Sequence, residues 1–108
     1  TALRASDMVR AESAFREFIV LCDALRQGSH PSCAERRAGL GKVLRQRGAY
    51  LEAERWLLES YKLKQQAEGK HFSGPEQVAA ELVLLYQAWG KTAEAARWQQ
   101  AAAKVPEP

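Results

Sequence analysis

The chain has 108 residues, a formal net charge of +3, and a composition that is 46% hydrophobic and 27% charged. That length suits one domain, residues 1–108, burying about two-thirds of its unfolded surface. No 18-residue apolar run that would cross a membrane, no basic segment leading into an apolar stretch as in a signal peptide, and no dense Lys/Arg stripe with interleaved aromatics as nucleic-acid binding requires is present.

Residues 7–27 predict the first helix, because Met8, Ala11, Phe15, Phe18, Ile19 and Cys22 recur at helical spacing. Asp7 or Ser6 can cap it, and Gly28 ends the pattern. Ser29-His30-Pro31 makes a turn, and Ser32-Cys33-Ala34-Glu35 has the spacing of a capping box. The second helix, 33–47, presents Ala34, Ala38, Leu40, Gly41, Val43 and Leu44, with Gly41 admitting a close neighbour. Gly48 stops it by taking the left-handed conformation.

A third helix, 50–68, carries Ala53, Trp56, Leu57, Ser60, Tyr61 and Leu63 inward. After the polar loop 69–75, Ser73-Gly74-Pro75-Glu76 repeats the capping spacing, and proline is tolerated in a first turn. The fourth helix, 75–89, has Val78, Ala79, Leu82, Val83, Leu85 and Tyr86 before Gly90 closes it. The fifth runs over 92–104, and 105–108 is a non-helical tail. No strand pattern appears, so the fold class is all-α.

One stretch serves as a ruler. Gly48-Ala49-Tyr50-Leu51-Glu52-Ala53-Glu54-Arg55-Trp56 returns 42 positions later as Gly90-Lys91-Thr92-Ala93-Glu94-Ala95-Ala96-Arg97-Trp98, with Gly, Glu, Ala, Arg and Trp in register. Self-similarity at such a period marks stacked repeats. Leu40, Gly41, Leu44, Gly48, Tyr50, Ala53, Leu57 and Ser60 in the first copy, and Leu82, Val83, Tyr86, Gly90, Thr92, Ala95, Gln99 and Ala102 in the second, resemble a tetratricopeptide repeat of the long, 42-residue form. Helix one falls on helix three by the same step, as the second half of an earlier copy, so the domain divides into 7–27, 33–69 and 75–104.

The resemblance implies an α-solenoid of antiparallel helix pairs, and a non-catalytic module that binds a protein or peptide partner in a concave groove lined by the first helix of each pair. By family position the groove residues are Glu35, Lys42, Arg45, Gln77, Glu81, Leu84 and Gln87, with Ala38, Gly39 and Ala80 between them. Arg36, Arg37, Lys42, Arg45 and Arg47 against Glu35 make helix two basic, which suits an acidic partner segment. Where chaperone-tail binders of this family hold a carboxylate, this chain has Ala38, Gly39, Lys42, Ala80, Glu81 and Leu84, so that ligand is not implied.

An alternative is self-association. Helix one lacks its partner helix, so Phe15, Phe18 and Ile19 would face a preceding repeat or another copy, giving a homo-oligomer. The chain opens on Thr1, which points to a segment of a longer protein.

No catalytic set is expected, because no nucleophile, base and orienting group come together; His30 and His71 are assigned to turns, and Trp56 and Trp98 to packing. Gly90-Lys91-Thr92 lacks the strand and glycine-rich loop of a phosphate-binding motif. Cys22, His30 and Cys33 lack a fourth zinc ligand, so no metal or other cofactor is expected. The two cysteines read as reduced thiols of a cytoplasmic protein, with pairing open only if helix and loop bring them together.

Overall fold

The computed structural model describes residues 5–25, 31–66 and 75–102. It contains five helices, α1 (Ala5–Ala24), α2 (Pro31–Gln46), α3 (Tyr50–Gln66), α4 (Pro75–Trp89) and α5 (Thr92–Ala102), and no strand among the described residues. Helix α2 starts at Pro31, ahead of the predicted capping box; proline suits a first turn because its missing N–H would lack a partner there anyway. His30, His71 and Ser73 lie outside the described residues.

Gly48 and Gly90 end α2 and α4 with φ of +85° and +80°, a conformation costly for any residue with a Cβ. Two backbone bonds close each end. The Ala49 amide donates to the Leu44 carbonyl at 2.9 Å and the Gly48 amide to Arg45 at 3.0 Å. The Lys91 amide donates to Tyr86 at 2.8 Å and the Gly90 amide to Gln87 at 3.3 Å. This glycine C-cap motif therefore recurs at the 42-residue spacing of the sequence repeat.

Helix α2 packs on α3, α4 on α5, α1 on α2 and α3 on α4, and α2 also touches α4. The Ser60 hydroxyl donates to the Ala34 carbonyl at 2.7 Å, so late α3 meets early α2. Nearer the middle of both helices a Cβ on Gly41 would stand 2.6 Å from Leu57 Cγ and 3.3 Å from the Ala53 carbonyl oxygen, so glycine permits that approach. Leu40, Leu44, Ala53, Leu57, Val78, Leu82, Leu85, Tyr86 and Ala95 form the core, joined by Ile19 of α1. Each fully buried leucine contributes about 2–3 kcal/mol by leaving water. Trp56 and Trp98 pack against this core as expected, and Trp98 meets Tyr61 edge-on at 4.8 Å.

Candidate functional site

Where α2 and α4 touch, the surface sinks into a depression of about 250 Å³ lined by Glu35, Ala38, Gly39, Lys42, Lys64, Gln77, Val78 and Glu81. Residues 35, 38, 39 and 42 follow one helical stripe, as do 77, 78 and 81, so two helix faces converge on the hollow. Ala38 and Gly39 make a low wall, with the Phe15 ring of α1 filling the space that a side chain at Gly39 would take. Four of the seven sequence-predicted groove residues line it: Glu35, Lys42, Gln77 and Glu81. Arg45 reaches it through Glu81, whereas Leu84 and Gln87 are exposed farther along α4 and do not line it.

The electrostatics differ from the expected basic wall. Lys64 of α3, only 6% exposed, donates to Glu35. Arg45 Nε lies 3.4 Å from Glu81 Oε2, both atoms buried and neither in a hydrogen bond. Arg37 is buried and bridges Asp23 of α1 at 2.9 Å and Glu59 of α3 at 3.2 Å. Arg47 pairs with Glu12, and the Arg36 guanidinium lies 4.7 Å over the Phe18 ring. Helix α2 turns its cations to several sides, where carboxylates of α1, α3 and α4 meet them. Lys42 alone of these cations, among the described residues, is exposed with neither an ion pair nor an aromatic face against it.

No family model, curated protein or solved structure matches this chain. The functional reading therefore rests on the residues themselves. Among the described residues, no cluster of three or more His, Cys, Asp or Glu side chains could hold a metal ion, and no helix is long and apolar enough to cross a membrane.

The residues expected to mediate self-association are mostly turned inward. Ile19 is 3% exposed in the core, and the Phe15 ring caps Gly39, where an added Cβ would fall 2.6 Å from Phe15 Cζ. Phe18 keeps 37% of its surface. The outward apolar residues of α1 are instead Val9, Val20 and Leu21, with Leu25 just past its end, each more than half exposed.

Cys22 and Cys33 are not free thiols: they form a disulfide between α1 and α2, with Cα atoms 6.3 Å apart. This corrects the reduced-thiol expectation. Both cysteines lie on inward faces, at the end of α1 and the start of α2, and are buried at 5% and 1% exposure. The sequence signal was their place on each helix's apolar stripe, Cys22 following Phe15 and Ile19. Arg37, counted with the basic residues of helix two that suit an acidic partner, and Lys64, not singled out in the sequence, are instead both buried. Lys64 stands at the helical step after Leu57 and Ser60, which are both buried, so its position carried the information.

Ion pairs extend this attachment of α1. Arg16 binds Glu52 of α3 at 2.6 Å and Glu12 at 2.9 Å, and Glu12 also meets Arg47. The Glu52 hydrogen bond holds the Arg16 pKa above its ordinary value, against a smaller effect of burial. Arg16 in turn holds Glu52 below the ordinary carboxylate value, with the Trp56 indole N–H helping and burial opposing.

Proposed function

We propose that this chain is a non-catalytic protein-interaction module, a short α-solenoid of antiparallel helix pairs like tetratricopeptide repeats, which binds an extended peptide of a protein partner between α2 and α4. The observation that carries this reading is the depression lined by Glu35, Ala38, Gly39, Lys42, Gln77 and Glu81, where two helix stripes meet around small residues. The recurrence of the glycine cap after 42 residues, and the contact of α2 with α4, support the repeat arrangement. Lys42, exposed beside Gln77, favours a peptide with one acidic side chain among neutral ones over a uniformly acidic partner. Glu35 and Glu81 would repel a dense acidic run.

Selection of displayed linear peptides against the immobilised protein tests this. The reading expects selected peptides to lose at least tenfold in affinity for Lys42→Glu and for Gln77→Arg, and to be unaffected by Leu58→Ala on the outer face of α3. Peptides indifferent to both groove substitutions would contradict it.

A second reading, self-association through α1, draws support from exposed Val20, Leu21 and Leu25. Leu21→Asp tests it by oligomeric state, whereas Phe15→Asp would disturb the packing on Gly39. The buried disulfide supports an oxidising compartment in place of the cytoplasm, where thiols are kept reduced. Thiol labelling of the denatured protein, isolated without reductant, should then find no free cysteine; two labels per chain would contradict this.

A further inference from the structure

Helix α3 carries an outward face that neither the core nor the groove uses. Leu51 and Leu58 are 72% and 38% exposed, and share an open surface of α3 with Glu52, Glu54, Arg55, Glu59 and Lys62. Leu51, Arg55, Leu58 and Lys62 follow one another at helical steps, so they form a single stripe, with Glu52 and Glu59 along one edge. Along that edge the charges alternate as Glu52, Arg55, Glu59, Lys62. An alternating edge of this kind inverts its signs when turned end for end. A second copy laid antiparallel therefore sets its Lys62 opposite Glu52 and its Glu59 opposite Arg55. Both pairs are centred on position 57, so one twofold axis satisfies them together and brings Leu58 against the Leu58 of the second copy. Glu52 and Glu59 already bind Arg16 and Arg37, yet their side chains remain 41% and 43% exposed, and a carboxylate can accept from more than one donor.

We propose that the outer face of α3 docks against the same face of a second copy, antiparallel, as an isologous homodimer. Two leucines per copy and exposed ion pairs, each worth little in water, make the contact small and the dimer weak. It leaves the α2–α4 depression open, so it stands or falls independently of peptide binding.

The test is carbodiimide cross-linking of a mixture of isotopically light and heavy chains, read by mass spectrometry of the peptides. Glu52 and Lys62 are about 15 Å apart along their own helix, too far for a zero-length bond within one copy. A light–heavy Glu52–Lys62 link is therefore expected. Sedimentation equilibrium should show the mass climbing from 12.1 kDa toward twice that value between ~10 μM and ~1 mM, the range of a weak complex. The double variant Arg55→Glu with Lys62→Glu, and Leu58→Ala separately, should weaken the dimer at least tenfold, with helical content unchanged, while Leu21→Asp leaves it intact. A monomer at every concentration would overturn the proposal. So would a dimer that Leu21→Asp dissolves and the α3 variants do not, which would place self-association on α1.

Discussion

Tyr86 reports directly on the packed interior. Its hydroxyl donates to Glu54 at 2.7 Å, and burial first, then the Glu54 carboxylate, push its pKa above the usual 10.0. A phenol held neutral by the fold stabilises it fully below about pH 10, and that contribution is lost as pH rises, because the unfolded chain ionises there while the folded chain does not. Tyr86→Phe should cost about 1–2 kcal/mol at neutral pH. Urea unfolding at about pH 7 and pH 10.5 should also show a shallower alkaline loss in the variant than in the parent. Equal alkaline slopes would contradict the assignment. Glu52 acts on the acid side, because Arg16 lowers its pKa; its contribution is present above the usual 4.5 and lost as pH falls. Its side chain is 41% exposed, so Glu52→Gln should cost less than about 1 kcal/mol.

At the scale of the helix, close approach and covalent linkage decide the architecture. A Cβ at Gly41 would stand 2.6 Å from the branched Cγ of fully buried Leu57, whereas one at Gly39 meets only the tip of the Phe15 ring. Gly41→Ala should therefore destabilise the chain by about 1–3 kcal/mol, and Gly39→Ala by less, with the change confined to α1. Denaturant unfolding of the two variants checks the order. The disulfide joins positions 11 apart, and reducing it should cost about 3 kcal/mol, with α1 amides losing hydrogen-exchange protection first because α2 is the helix it packs on. Protection lost equally across all helices would contradict this. All five helices were legible in the sequence because amphipathic spacing and two cap glycines announced them. The disulfide was not, since pairing depends on where the end of α1 meets the start of α2. The destinations of Arg37, Arg45 and Arg47 were equally hidden: their partners Asp23, Glu59, Glu81 and Glu12 come from three other helices, and sequence order does not encode that proximity.

At the scale of the whole molecule, the residues that recur and the residues that line the depression lie on different segments. The recurring segments Gly48–Trp56 and Gly90–Trp98 form the turns and supply buried Ala53 and Ala95 to the core, while α2 and α4, which differ in sequence, line the depression with Lys64 of α3. Six of its eight lining residues, Glu35, Ala38, Gly39, Lys42, Gln77 and Glu81, were named from family position; Lys64 and Val78 were added by the way α3 and α4 close around it. The proposed function requires that this depression receive a peptide. Its most direct test is an amide chemical-shift titration of the isotope-labelled protein with a display-selected peptide. Shifts concentrated at Ala38, Gly39, Lys42, Gln77 and Glu81 are the predicted result. Shifts confined to α1, or to the Leu51–Lys62 face of α3, would contradict it.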